Sequence, residues 1–365
     1  MDLQQLGWDD FFQDRYQEYQ KKDLLPARII AQQKGQYQVY CVEGELPAQL
    51  AGKFSYHNTL QKQYPAVGDW VVVRLVKNYQ RVFIQGVLER KNYFSRKLPI
   101  SGGRKLNKGI IDGGITEEQV IAANIDTVFI ISSLDNDFNL RRIERYLTLV
   151  YNSGTLPVIV LNKLDLCKMA DDYIQQVKEI AFGVPVYPIS VTQKQGLELF
   201  ASYLDFGKTV AFIGSSGVGK STLTNYFLGE ERQKTKVLSE ATGKGRHTTT
   251  YRELIILPSG GMVIDTPGMK EIQLWGGEEE VKRNFEDVIN LAKLCKFNDC
   301  RHDTEPGCAV NQALTDGRLS RERYESYLKQ MAEIERLEEK KKLFDKRLSG
   351  KERLRLKIKH GRKGI

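Results

Sequence analysis

The sequence predicts a multi-domain chain: an N-terminal β-barrel, a central α/β domain on a parallel sheet, and a helical C-terminal domain. Three observations carry this. From about Leu25 to Lys97, short segments of alternating polarity recur between glycines. From Asp126 to Asp265, apolar runs alternate with amphipathic ones, the pattern of a doubly wound sheet. Beyond that, three cysteines and a histidine crowd into fourteen positions, and the chain closes on a basic tail.

Residues 1–24 are expected to be a helical extension, with an amphipathic helix from Leu6 to Lys22 that packs Trp8, Phe11 and Phe12 from near one face. Residues 25–97 follow as the barrel. Segments such as Ala27–Ala31, Gln36–Tyr40 and Trp70–Arg74, punctuated by Gly44, Gly52 and Gly68, give about five short strands, enough for a small closed sheet. The stretch from Arg96 to Ile115, rich in Gly, Lys and Arg, reads as a connector. The central domain, 98–274, is expected to hold strands at Asp126–Ser133, Pro157–Leu161, Val184–Ile189 and Lys208–Ile213. Helices are expected at Leu140–Tyr151, about Tyr173–Ile180, about Gly196–Leu204 and from Ser221 to Leu228, the last closed by Gly229. Residues 275–365 form the last domain.

The chemistry is concentrated where these strands end. Gly214-Ser215-Ser216-Gly217-Val218-Gly219-Lys220-Ser221 fits G-x-x-x-x-G-K-[ST], set between a strand and a helix. Glycines let backbone N–H groups close around phosphate oxygens. Lys220 supplies a cation for the β- and γ-phosphates, Ser221 a hydroxyl for Mg²⁺, and Thr222 continues the loop into its helix. Asp265-Thr266-Pro267-Gly268 follows the apolar run Met262–Ile264; its carboxylate suits the Mg²⁺ shell and the Gly268 N–H the γ-phosphate. Asn162-Lys163-Leu164-Asp165 fits N-K-x-D: Asp165 can accept from guanine N1–H and the exocyclic amine, a donor pair that adenine lacks. Lys163 is expected to lie along the base and Asn162 to brace the loop. Ser190-Val191-Thr192 is the expected second base-contacting loop, with Ser190 as its candidate. The base-reading tetrapeptide precedes the phosphate loop by some fifty residues, the reverse of the usual order, so the domain is expected to be a circularly permuted GTPase binding GTP and GDP.

Cys295-x4-Cys300-x-His302-x5-Cys308 supplies three thiolates and an imidazole, a donor set for tetrahedral Zn²⁺ that leaves no open position, so one structural zinc is expected. Disulfides are the competing reading. The polar, acidic start Met1–Leu6 has no signal-peptide core, and no apolar run is long enough to span a bilayer, so a cytoplasmic protein without a membrane partner is expected.

In these motifs, in Thr116–Asn124 and in Gly245-Arg246-His247-Thr248-Thr249-Thr250, the chain resembles the ribosome small-subunit-dependent GTPase A family (RsgA, also YjeQ or YloQ) over nearly its whole length. The resemblance implies an N-terminal OB-fold that binds RNA, a permuted GTPase domain, a C-terminal zinc domain, and action on the small ribosomal subunit late in its assembly. The position after D-x-x-G, where many GTPases carry a water-orienting Gln, is Met269, so slow intrinsic hydrolysis is expected. His247 is the candidate substitute; an exposed histidine contacting RNA phosphate is the equal alternative. One of Thr248, Thr249 and Thr250 should complete the Mg²⁺ shell, Thr249 being the candidate.

Net charge is +9, yet residues 340–365 hold twelve Lys/Arg and two acidic residues, so the rest is close to neutral. Such a tail reads as a nucleic-acid contact, helical over much of its length or ordered on binding, with a solvated, partly disordered end as the alternative; the resemblance implies that the nucleic acid is rRNA. A monomer is expected. The alternative to a subunit-activated GTPase is an RNA-binding switch in which hydrolysis only resets association. A third reading, a nucleotide-dependent metal or redox protein, is disfavoured by the closed ligand set.

Overall fold

The computed structural model describes residues 2–20, 22–33, 35–52, 54, 61–76, 81–99, 116–229, 252–265 and 277–339. The connector from 100 to 115, the segment with His247 and Thr249, Gly268 and Met269, and the basic tail lie outside the described residues. Two compact units form: Met1–Ser95 with Val120–Ile272, and Arg96–Gln119 with Gln273–Ile365.

The first unit opens with a 3₁₀ turn, Leu3–Leu6, and helix α1, Asp10–Gln20. Phe12 and Tyr16 are its buried positions, and the Tyr16 hydroxyl donates to Leu24 O at 2.6 Å. Trp8 and Phe12 pack against the fully buried Trp70 at 4.6 and 5.8 Å between ring centroids, so the aromatic extension is a packing element, as expected. Strands β1 (Leu25–Gln33), β2 (Gln36–Cys41), β3 (Gly44–Leu50), β4 (Trp70–Val76) and β5 (Arg81–Val87) follow. They close because β1 pairs with both β2 and β4, while β5 lies between β3 and β4. A register shift between Ile29 and Ala31 lets β1 bend around the barrel. Strands β6 (Tyr93–Pro99) and β7 (Thr116–Ala123) pair as a ribbon, so Arg96–Pro99, expected in the connector, is strand.

The central sheet contains β8 (Thr127–Ser133), β9 (Leu156–Asn162), β10 (Val186–Pro188), β11 (Thr209–Ile213), β12 (Arg252–Ile256) and β13 (Met262–Asp265). Its order is β10-β9-β8-β11-β13-β12, parallel except for β12, and β12 pairs antiparallel with β1, so the barrel and this sheet share one hydrogen-bonded ladder. All of β8 and β11 is buried, which is why they read as unbroken apolar runs. Numbered from β11, the sheet reads 6-5-4-1-3-2; the permutation puts the fourth to sixth strands first in the chain. Helices α2 (Leu140–Ser153), α3 (Ala170–Ile180) and α4 (Lys220–Leu228) stand where expected. Asn139 caps α2, accepting from Arg142 N–H at 3.0 Å.

The helix expected over Gly196–Leu204 is a correction: only a 3₁₀ turn, Glu198–Phe200, forms there, followed by turns. The run is too short for helix to be favoured by itself. Its apolar members Leu197, Phe200 and Leu204 reach the core cluster without a regular helix.

Besides the strand residues 96–99 and 116–119, the described part of the second unit holds the helices α5 (Glu278–Asn284), α6 (Glu286–Ala292), α7 (Ala309–Thr315) and α8 over residues 321–339. Val281, Phe285, Val288, Val310 and Ala313 form its buried side. Arg323 binds Asp287 through two nitrogens at 2.9 and 2.8 Å, donates to Asn284 O, and stacks on Phe285. Among the described residues, no helix is long and apolar enough to cross a membrane.

Candidate functional site

The carboxyl ends of the parallel strands converge on one edge, where an open α/β sheet binds its ligand. Gly214 follows β11 with φ 151°, and a Cβ there would stand 2.2 Å from Ile131 O of β8, so the strand can pass so close to its neighbour only with glycine. Gly217 and Gly219 are also left-handed, and Lys220 and Ser221 open α4 directly behind the loop. Ser216, Gly217 and Thr222 are exposed, Ser215, Gly219 and Ser221 half-buried, and Val218 is anchored in the core. The Lys220 ammonium donates to Gly214 O at 2.8 Å and Ser215 O at 2.5 Å, folded over its own loop.

Asn162, the last residue of β9, is buried between two loops. Its Nδ2 donates to Val218 O at 2.7 Å, and its Oδ1 accepts from Val191 N–H at 3.2 Å. It thus ties the phosphate loop to the loop that carries Ser190. Lys163 follows with φ 67°. Ser190 is fully buried; its hydroxyl donates to Asp165 Oδ1 at 2.5 Å and accepts from Gln193 N–H. Asp265 ends β13 at the same sheet edge. Of the predicted site, the structure therefore brings together Asn162, Lys163, Asp165, Ser190, the loop from Gly214 to Thr222 and the strand end at Asp265. His247, Thr249 and Gly268 lie outside the described residues.

One part of the site was missed by sequence reasoning. After β8, Asp135 accepts from Lys163 Nζ at 2.6 Å and from Ser133 Oγ at 2.6 Å. Burial pushes its carboxyl up, but the bonds from Lys163, Ser133 and Asp137 N–H outweigh this and hold it at about 2. Asp137 accepts from Arg142 at 2.6 Å and from Ser215 Oγ of the phosphate loop. The Arg142 guanidinium is the main cause of its lowered pKa. The available signal was a polar run, Ser132-Ser133-Leu134-Asp135-Asn136-Asp137, at the carboxyl end of a buried parallel strand.

In the second unit, Cys295, Cys300, His302 and Cys308 place one ligand atom each within 4.8 Å of one another. Cys295 Sγ and Cys308 Sγ are 3.9 Å apart, and each lies 3.5 Å from His302 Nδ1. Tetrahedral metal–thiolate bonds of about 2.3 Å require sulfur separations of about 3.8 Å. The Cys295–Cys308 pair has that spacing, and all five cysteines are free. Asn311 N–H donates to Cys308 Sγ at 3.4 Å, a contact that orients this sulfur toward the cluster.

Comparison with known proteins agrees with this arrangement. A family model described as RsgA GTPase matches residues 87–275, just over half the chain, and a model described as 50S ribosome-binding GTPase matches residues 209–343. The small ribosomal subunit biogenesis GTPase RsgA of Syntrophotalea carbinolica is 45% identical over 336 residues, which is 92% of this chain and 90% of that protein. The protein of the same name from Leptospira interrogans is 39% identical over 99% of this chain and 98% of its own. The crystal structure of YjeQ from Thermotoga maritima superposes with a TM-score of 0.60 at 27% identity, covering 85% of this chain and 98% of that one. The structure of YloQ, a circularly permuted GTPase, superposes with 0.57 at 28% identity, covering 86% and 95%. This chain belongs to the RsgA family of circularly permuted GTPases, and it is a GTP hydrolase.

Proposed function

We propose that this protein binds the small ribosomal subunit and hydrolyses GTP to GDP and phosphate during late subunit maturation, with turnover stimulated by the subunit. The observation that carries the nucleotide half is the convergence of Asn162–Asp165, Ser190 and the Gly214–Thr222 loop on one sheet edge, with Asn162 bonded to both loops. In this reading Asp165 accepts from the guanine edge, and Ser190 holds that carboxylate in place. Backbone N–H groups of Ser215 to Thr222 surround the phosphates. Lys220 exchanges its two carbonyl partners for phosphate oxygens, and Gly268 N–H meets the γ-phosphate. Ser221, Thr249 and Asp265 hold the Mg²⁺ that accompanies GTP and neutralises charge on its phosphates. His247 orients the attacking water, because Met269 has no group to do so. Zinc is the metal that suits three thiolates and an imidazole at the observed spacing, in a closed, structural site.

The small-subunit half rests on the names borne by relatives of 39 to 45% identity along nearly their full lengths. It is consistent with the basic segment 340–365 and the barrel at 25–97 as rRNA contacts. The domains are taken as 1–24, 25–97, 98–274 and 275–365, in a cytoplasmic monomer. The test is steady-state GTP hydrolysis alone, with purified small subunits, and with large subunits, the last a real control since one matching model is described as 50S ribosome-binding. Stimulation by small subunits alone is expected. Intact GTP binding without stimulation would leave the switch reading, which Met269 favours, and stimulation by large subunits would overturn the partner.

A further inference from the structure

The turn after β8 binds both halves of the nucleotide pocket at once. Asp135 holds the Lys163 ammonium, while Asp137, two residues on, takes the hydroxyl of Ser215 in the phosphate loop. The two carboxylates are linked, since Asp137 N–H donates to Asp135 Oδ1 at 3.0 Å. The turn itself is anchored: Leu134 N–H donates to Asn162 O at 2.8 Å, and Phe138, which closes it, packs edge-on against Tyr173. Two negative charges beside a site for a polyanion would oppose binding. Each is matched by its own cation, Asp135 by Lys163 and Asp137 by Arg142 of α2 at 2.6 Å.

Resting on the guanine-nucleotide reading above, we propose that Asp135, Asp137 and Arg142 are positioning residues for GTP and GDP. Asp135 fixes the far end of Lys163, so that its aliphatic stem spans the base. Asp137 fixes the near side of the phosphate loop through Ser215. Arg142 neutralises Asp137, so that this brace can stand beside a triphosphate. None of the three is assigned a bond to the nucleotide.

The roles make separable predictions, measured on the full chain with fluorescent mant-GDP and a mant-labelled non-hydrolysable GTP analogue. Asp135→Asn keeps the shape and loses the charge; both affinities should fall about tenfold, the size of one charge-assisted hydrogen bond. Turnover at saturating GTP should fall less than threefold, since no transition-state contact is lost. Arg142→Gln leaves Asp137 uncompensated, and should weaken the GTP analogue about fivefold more than GDP at low salt, with the gap closing at high ionic strength. Asp137→Asn added to Arg142→Gln should restore the GTP-to-GDP ratio, a rescue that lost packing would not give. Thermal melting of each variant with no nucleotide separates misfolding from lost binding. Wild-type affinities in well-folded Asp135→Asn, or an unchanged nucleotide ratio in Arg142→Gln, would overturn the inference and leave the GTPase reading standing. No binding of either nucleotide by the unmodified protein would overturn both.

Discussion

Two asparagines hold opposite ends of the central sheet with the same bonds, and the two ends serve opposite purposes. Asn124, just before β8, donates to Gly68 O at 3.0 Å and accepts from Lys91 N–H at 2.9 Å, which fastens the barrel to the sheet. Asn162, at the end of β9, makes the equivalent pair to Val218 O and Val191 N–H. Each end has a cation on main-chain carbonyls. Arg28, fully buried at the joint, donates to Gly68 O, Leu6 O and Asn124 O. Lys220, half-buried at the pocket, donates to Gly214 O and Ser215 O. Each end also has a glycine whose Cβ would meet a backbone carbonyl at 2.2 Å: Gly68 against Ala123 O, and Gly214 against Ile131 O. The difference lies in the partners. The carbonyl partners of Arg28 come from three separate segments sealed from water, whereas the carbonyl partners of Lys220 belong to its own loop and, in the proposed reading, give way to phosphate oxygens. Similar groups make a weld in one place and an exchangeable site in the other.

The strongest way to break this comparison is to fill the two glycines. Gly68 has φ 88°, so alanine there meets both backbone strain and a main-chain clash inside the weld. Gly68→Ala should cost about 4 kcal/mol and lower the melting temperature of the first unit by about 10 °C. Gly214→Ala meets an equal clash and, at φ 151°, backbone strain as well, but Ser215 to Gly217 beyond it are half-buried or exposed; the stability loss should be smaller, about 1–2 kcal/mol, with GTP binding abolished. Calorimetry and nucleotide titration on both variants check this. Equal stability losses would mean that the phosphate loop is as rigidly built in as the joint.

Next in size is Arg28→Met. Burial lowers the Arg28 pKa to about 10, the mark of a charge that costs stability at neutral pH, so the group is kept for its geometry. Methionine would relieve that cost. It would also remove donors from Leu6 O and Asn124 O, while Gly68 O keeps Asn124 Nδ2. A loss of about 2 kcal/mol is expected by denaturant unfolding, with nucleotide affinity unchanged. A more stable variant would show that the carbonyls find other donors.

The pocket was far more legible in the sequence than the joint. Phosphate and guanine recognition restrict residue type at fixed spacing, so Gly214–Ser221 and Asn162–Asp165 stand out against any background. A joint only has to satisfy carbonyls, and Arg28 sits in an alternating strand like any surface arginine; nothing in Ala27–Ala31 says that it is fully buried. The Asp135–Asp137 turn fell between these cases. It acts through Lys163 and Ser215 rather than on a ligand, so no spacing rule marks it. Strand existence was plain because β8 and β11 are buried along their length and β9 is buried beyond its exposed first residue, Leu156. The turns at Glu198–Phe200 were misread because their apolar spacing suits the core in either conformation.

Asn162→Ala sharpens the comparison further. It strips Val218 O and Val191 N–H of one partner each, at a sheet edge that can relax. Stability should fall by about 1.5 kcal/mol, and GTP and GDP affinities at least tenfold, because the two loops lose their tie. Asn124→Ala should give a similar loss of stability with no change in affinity. If both variants lost nucleotide binding equally, the weld would be part of the site.

The smallest expected effect is electrostatic and belongs to Asp135. Its folded pKa, about 2, lies below the ordinary carboxylate value, so its contribution to stability is fully present above pH 4 and is lost as pH falls through 2. The groups facing it are the Lys163 ammonium, the Ser133 hydroxyl and the Asp137 N–H, with the Asp137 carboxylate beside them. With the side chain 29% exposed, solvent screening reduces the contribution to about 1 kcal/mol. Asp135→Asn should therefore melt slightly below the unmodified protein at every pH from 5 to 8, with the two curves converging near pH 2. Among the described residues Arg28 donates to carbonyls and to the Met262 sulfur and feels Asp126, Asp69 and Asp9 only at a distance, so Arg28→Met should show a deficit that changes little from pH 5 to 8. A deficit in Asp135→Asn that persisted unchanged at pH 2 would mean that Asp135 serves by shape alone, and that Lys163 is held by the fold rather than by charge.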